Sequence, residues 1–221
     1  MTEAATAPAV PPAPGRRAIR RQQTIDEILD IAEELVAANG ANGLSLSEVA
    51  RRLGVQPPSI YKYFPSLLAI YDALFRRGQE EHLAVMASAM GAAEPGLEAL
   101  TVGLEASGRW LLAHPGTAQL LFWRPVPSFQ PSPEAMAPSA AMVELQRQAL
   151  ADAVAAGQIG APTATDDPVF LVSTLIVGVV SQAMANEPEL PWGAGRFTPN
   201  FRRLMGLLPT LYPPAAPRSR P

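Results

Sequence analysis

The sequence predicts an all-α fold, with a three-helix unit near the N-terminal end and a larger helical domain behind it. Three observations carry this. Residues 45–66, SLSEVARRLGVQPPSIYKYFPS, spell two short helices about a glycine corner. Apolar residues recur at i, i+3 and i+4 in the segments on either side. Glycines and prolines punctuate the remainder at helical lengths.

Residues 1–15 are rich in alanine and proline, which favours disorder. With Arg16, Arg17, Arg20 and Arg21 they are expected to make a disordered basic arm, residues 1–21. These arginines read either as a solvated run before a helix or as an arm along DNA phosphates. The first helix is expected over 24–39. Thr24 and Glu27 have capping-box spacing, and Ile25, Ile28, Leu29, Ala32, Leu35 and Val36 form one apolar stripe. Asn39-Gly40 and Asn42-Gly43 end it. Ser45 and Glu48 make a second capping box, Leu46, Val49, Ala50 and Leu53 face inward, and Gly54 closes that helix in a left-handed conformation. A third helix starts near Gln56-Pro57-Pro58, because first-turn amides have no intrahelical partner to lose. Ile60 and Phe64 form its buried face.

A fourth helix is expected from Ser66 to Met90, with Leu67, Leu68, Tyr71, Leu74 and Phe75 packing on the first three. The helix-turn-helix unit is bounded at 22–70 and the second domain at 71–212, with a disordered tail at 213–221. Five further helices fall near 97–113, 116–123, 133–156, 166–186 and 198–208. Five prolines within residues 125–138 predict a long loop and a candidate lid.

Cysteine is absent from the 221 residues, which excludes disulfide and thiol chemistry. The opening MTEAATAPAVPPAPG lacks the basic start and apolar core of a signal peptide. The most apolar run, Val169 to Val180, has 12 residues, too few to span a bilayer. A soluble cytoplasmic protein without a membrane partner is expected. Net charge is −3, yet residues 16–77 hold nine Arg/Lys against seven Asp/Glu, while residues 78–221 hold eight against twelve. That asymmetry leans weakly towards a nucleic-acid partner for the N-terminal unit.

With Ile60 and Phe64 turned inward, the outer face of the third helix presents hydroxyls, an amide and an ammonium. These suit a major-groove edge and its flanking phosphates. The candidate DNA-binding residues are Ser45, Gln56, Pro57, Pro58, Ser59, Tyr61, Lys62 and Tyr63. Pro58 and Ser59 would lie nearest the base edges, Gln56 at the helix start, and Tyr61, Lys62 and Tyr63 on phosphates. Read without DNA, the same residues make a plain αα-hairpin.

The run from Thr24 to Leu74 resembles the N-terminal DNA-binding domain of the TetR family of transcriptional repressors. The matching pieces are ILDIAEELVAANG, LSLSEVARRLGV and IYKYF, with Pro65-Ser66 opening the next helix. Leu67 departs from the family pattern, which often has Lys or Arg there as a phosphate contact. Free amides of a helix starting near Ser66 are the available substitute. More weakly, RWLLAHP and FWRPVPSF resemble the C-terminal domains of a TetR subgroup common in actinomycetes. The resemblance implies a homodimer on a double-stranded DNA operator, released by a ligand.

No cofactor, metal or enzymatic activity is expected. His82 and His114 are the only histidines, and HxxxH, HExxH, GxSxG, P-loop and GxGxxG patterns are all missing. His114, before Pro115, is expected to cap a helix, and Asp166-Asp167 to start one at Pro168. Trp110, Phe122, Trp123 and Phe129 cluster around the proline-rich loop. Core packing accounts for them, and so does the wall of an apolar ligand pocket, which Phe170 and Thr174 would join. Arg109, Arg124 or Gln182 are further polar candidates. The segment DDPVFLVSTLIVGVVSQAMA is apolar nearly all round and is expected to be buried on most sides. With NFRRLMGLL it suits a four-helix homodimer interface, or else it fills the monomer's own core. The function expected is a repressor released from a palindromic operator by a small apolar ligand. The alternative is a helical ligand carrier or protein-interaction module that does not bind DNA, for which Leu67 and the negative charge argue.

Overall fold

A computed structural model describes residues 15–162 and 167–214. The expected disorder of residues 1–14 and 215–221, and the capping role of Asp166, lie outside them.

Helix α1 (Arg16–Asn39) starts at Arg16, not Thr24. The arginines are thus helical, which corrects the disordered arm over residues 16–21. Nothing after Gly15 interrupts a helix, and Arg, Ala, Ile and Gln all propagate one. Thr24 is consequently inside α1, and its hydroxyl donates to the Arg20 carbonyl (3.1 Å) instead of capping. Ile28, Leu29, Ala32, Leu35 and Val36 are buried as a stripe. Helix α2 (Leu46–Leu53) is capped by Ser45, whose hydroxyl oxygen accepts from the Glu48 amide at 3.2 Å. The capping box is only half made, because the Glu48 carboxylate turns to Arg51 and Arg52 (2.7–3.1 Å). Those guanidiniums hold its pKa down at about 2. Gly54 takes the left-handed corner (φ 73°, ψ 26°).

Residues Pro57–Lys62 form a 3-10 helix where an α-helix was expected. Between Pro58 and Pro65 there is room for less than two turns, so the amides of Ser59 and Tyr63 close on Gln56 and Ile60, three residues back. Ile60 and Phe64 are buried as expected. Helix α3 (Leu67–Gly91), capped by Ser66, then runs out of this head into the rest of the molecule. Ile70, Tyr71, Leu74 and Phe75 complete the head's core, and the Tyr71 hydroxyl donates to the Ala41 carbonyl. Leu68, expected in that core, is exposed, on the opposite side of the helix from Ile70 and Leu74.

The body is built on α3 packed against α4 (Leu97–Ala113) and α6 (Pro133–Ala155), with α5 (Pro115–Phe122) and α7 (Asp167–Asn186) alongside. Helix α6 begins at Pro133 as expected, with Pro133 in its first turn and Pro138 within it, so the loop part of the proline-rich stretch ends at Ser132. The expected last helix is broken into a 3-10 turn at Thr198–Asn200, α8 (Phe201–Met205) and α9 (Leu208–Leu211). Gly206 and Pro209 both disfavour continuation.

Helix α7 corrects two expectations. Ser173 and Thr174 do not interrupt it, so it has 20 residues, and an 18-residue stretch of it has a mean hydropathy of 1.9, enough by length and composition to cross a membrane. It packs instead on α4, α6 and α8, burying Val169, Val172, Ile176 and Val180 on one side only. Its other side, with Phe170, Thr174 and Gly178, is exposed.

Arg202 on α8 clamps the buried Glu105 of α4 with two bonds of 2.9 Å and reaches Glu98 at 3.2 Å. Truncating one partner of such a pair leaves a buried carboxylate unpaired. Arg202 is half exposed, and Arg109 stays 3.5 Å from Glu105. The Arg202→Met protein is therefore expected to lose only about 1–2 kcal/mol in urea unfolding. A loss below about 0.5 kcal/mol, the level of an inert surface change, would show that the clamp contributes nothing.

Candidate DNA-reading face and ligand cavity

The corner at Gly54 and the short 3-10 turn leave Gln56, Pro58, Tyr61 and Lys62 exposed together, Tyr61 by 54%. Pro57, Ser59 and Tyr63 are half-buried beside them. Ser45 is also exposed, but its hydroxyl is committed to the α2 cap. Arg21 was expected only as part of an arm. Its guanidinium donates to the Lys62 carbonyl (3.0 Å) and lies 5.2 Å over the Tyr63 ring, tying α1 to the end of the reading turn. Leu67 is half-buried and packs on the core, so this position serves packing.

Head and body are fastened at several points. Arg77 of α3 pairs with Asp30 (2.6 Å) and Glu33 (3.8 Å) of α1. Gly116 of α5 lies so close to α1 that a Cβ there would stand 3.0 Å from the Val36 carbonyl oxygen. The loop between α5 and α6 is pinned to the head. Phe129 is buried against Tyr71 and Phe75 (ring centroids 5.8 and 6.0 Å), and Asp72 accepts from the amide and hydroxyl of Ser132 (2.7 and 2.8 Å).

A cavity of about 270 Å³ lies between α3, α4, α6 and α7. Its walls are mostly apolar, including Met86, Leu104, Phe122, Met142, Ile176 and Val177. Six polar side chains join them: Gln79, His82, Ser107, Ser139, Gln146 and Ser173. Ser173 donates to Gln146 Oε1 (3.1 Å). His82 is hydrogen-bonded through Nε2 to the Ser107 hydroxyl, stacked on Trp110 (5.3 Å) and edge-on to Phe122. Gln79 Oε1 and His82 Nδ1 are buried without a partner.

Two of the six predicted ligand residues, Phe122 and Phe170, line this cavity. Trp110 stands behind His82 as its stacking partner. Trp123 is exposed by a separate groove near Pro125, and Phe129 belongs to the head. Thr174 is on the outer side of α7, its hydroxyl turned back to the Phe170 carbonyl. Arg109, Arg124 and Gln182 do not line the cavity. His114 caps α4 as expected, with Nδ1 2.8 Å from the Trp110 carbonyl. Sequence reasoning missed Gln79 and His82, weighing the latter only as a metal ligand. The available signal was their place on the stripe of Leu74, Phe75, Gly78 and Met86, which puts two polar side chains on an otherwise apolar buried face.

Burial pushes the His82 pKa down from 6.5 to about 4. A histidine neutral in the fold and protonated when unfolded stabilises fully above pH 6.5. That stability is lost as pH falls from 6.5 towards 4, because the unfolded chain binds the proton first. Unfolding by urea at pH 7 and pH 4.5 is expected to differ by roughly 2 kcal/mol more in the native protein than in His82→Phe. Equal pH differences in the two proteins would refute this.

A helix-turn-helix with an exposed polar turn, carried on a helical body with a mostly apolar cavity, defines a DNA-binding regulator. Residues 28–74 match the family described as bacterial regulatory proteins, tetR family, and residues 100–206 match the tetracyclin repressor-like C-terminal domain. The chain belongs to the TetR family of transcriptional regulators, which are not enzymes. A helix-turn-helix-type transcriptional regulator of Bacillus subtilis, YobS, is 39% identical over 51 residues, which span 23% of this chain and 27% of YobS. A Rhodococcus sp. RHA1 protein of unknown function has a similar structure (TM-score 0.73, 21% identity, 85% of this chain and 94% of that one). So does the transcriptional regulator FadR of Bacillus subtilis in complex with stearoyl-CoA (TM-score 0.62, 18% identity, 83% and 96%). At these identities the structural likeness concerns the fold.

Proposed function

We propose that the protein is a cytoplasmic homodimeric repressor that leaves a palindromic operator when a small, largely apolar ligand enters the cavity. The observation that carries this reading is the continuity of α3. One unbroken helix supplies Tyr71, Leu74 and Phe75 to the core of the reading head and Gln79, His82 and Met86 to the cavity region. A ligand that displaces α3 moves the head with it. In a dimer, two reading turns enter successive major grooves about one helical turn apart, so a small change in their separation disfavours DNA. The ligand acts by favouring the wrongly spaced form.

Within each head, Pro58 and Ser59 face the bases, with Gln56 and Pro57 at the start of the turn. Tyr61, Lys62 and Tyr63 contact phosphate, and Ser45 does so through the first turn of α2. Support for the dimer comes from the uncovered side of α7, where Phe170 is exposed, together with exposed Leu207 and Leu211, whereas Phe201, Met205 and Leu208 of the last helices fill the protomer's own core. Exposed apolar surface of this kind marks an interaction site. Stearoyl-CoA is far larger than this cavity, so a smaller ligand is indicated here than in FadR.

Selection of bound duplexes from a random pool tests the reading. Enrichment of a palindrome, lost steeply with added salt, is the expected outcome. No enrichment at low salt from folded protein would sink it and leave a ligand carrier as the function.

A further inference from the structure

Two features of the cavity constrain its ligand more tightly than volume alone. The first is charge. None of the side chains lining the cavity is an Asp, Glu, Lys or Arg, and its one titratable group, His82, is neutral at pH 7. A charged ligand entering this site would lose its water and gain no counter-charge, which disfavours it. The second is the pair of unpartnered polar atoms. Gln79 and His82 are three residues apart on α3, hence neighbours on one helical face. Both are nine-tenths buried or more, and both line the cavity. Gln79 Oε1 can only accept. If the Ser107 hydroxyl donates to His82 Nε2, then Nδ1 carries the proton and can only donate. In that tautomer one helical face offers an acceptor and a donor, which matches a single hydroxyl that donates to one and accepts from the other.

Size and wall chemistry narrow the remainder. A cavity of about 150 Å³ holds benzene, so about 270 Å³ suits one substituted ring. Met86, Met142 and Phe122 favour an aromatic ring through sulfur–ring and ring–ring contacts.

We propose that the cavity binds an uncharged single-ring phenol, its hydroxyl bridging Gln79 Oε1 and His82 Nδ1 and its ring among Met86, Met142 and Phe122. This rests on the ligand-responsive reading above. The test is calorimetric titration of the full-length protein with p-cresol, 4-methylanisole and 4-methylbenzoate at pH 7.5. Expected are binding of p-cresol, binding of 4-methylanisole weaker by about tenfold because it has no donor for Gln79, and no detectable binding of 4-methylbenzoate. In Gln79→Leu the advantage of p-cresol over 4-methylanisole is expected to shrink to about twofold, since the acceptor is gone. Equal affinities for the first two ligands in the native protein, tightest binding by the carboxylate, or no binding of p-cresol would each overturn the proposal, whether or not the variant folds. The same ligands are added to the complex with a pool-selected operator. Release by some other compound alongside failure of the p-cresol order defeats the phenol and spares the ligand response. The expected order with an undisturbed operator complex does the reverse.

Discussion

Replacing Tyr61 and Lys62 together by alanine is expected to weaken operator binding at least about a hundredfold, with little change in stability. Each charged or phenolic contact to a phosphate contributes on the order of 1–2 kcal/mol, and a dimer loses four such contacts. Tyr61 and Lys62 are exposed at the end of the reading turn, whereas their neighbours Ile60 and Phe64 hold it to the core. Surface substitutions of this kind usually shift stability by less than about 0.5 kcal/mol. Ile60→Ala, by contrast, should unfold the head through loss of about 2–5 kcal/mol. Binding measured across a salt series supplies a second readout. Loss of one lysine per protomer should flatten the slope of log affinity against log salt by about 2. An affinity within threefold of the native value, roughly the 0.6 kcal/mol of an inert surface change, would place the reading face elsewhere.

Gly178→Glu is expected to convert a dimer to monomers and thereby abolish operator binding. Within the protomer nothing lies within 4 Å of a Cβ at Gly178, and the position is exposed on α7. The new side chain therefore has room, and replacing glycine inside a helix should add rather than remove stability. Phe170, two turns away along that side with Thr174 between, is 66% exposed. At a two-fold interface the two glutamates would face the same patch on opposite chains, so each substitution counts twice. Burying two like charges there costs several kcal/mol, roughly a thousandfold in the dimer constant. Sedimentation velocity separates the outcomes. A dimer that survives Gly178→Glu puts the interface on another surface, while monomers that still bind the operator tightly would remove the dimer from the mechanism.

The parts governed by local chemistry were legible before any coordinates. The helix expected over 97–113 is Leu97–Ala113, and the one expected from Ser66 is capped by Ser66. Ser45, Gly54, Ile60 and Phe64 take the positions that cap preference and apolar spacing assign them. Such features depend on neighbours within about four residues, which a one-dimensional pattern contains. Where the local rules were incomplete, the errors were also local. The basic run suggests an arm although nothing separates it from α1, and the short prolyl-bounded segment suggests an α-helix although it closes as 3-10.

What the tertiary structure alone decided are contacts between residues far apart in the chain. Arg21 reaches Lys62 across 41 positions, and Asp72 holds Ser132 across 60. Phe129 went to the head and not to the cavity because Tyr71 and Phe75 offer it an aromatic partner there. The side of α7 that faces the core is likewise chosen by α4, α6 and α8, since a helix apolar nearly all round has no preferred side of its own. Gln79 and His82 acquire meaning only from the helices that close over them. By itself the sequence determined most of the helices, the caps at Ser45 and Ser66, and the exposed turn that follows Gly54. Packing of α3 against α4, α6 and α7 decided which polar atoms remain buried without partners, because that depends on distances no local spacing encodes.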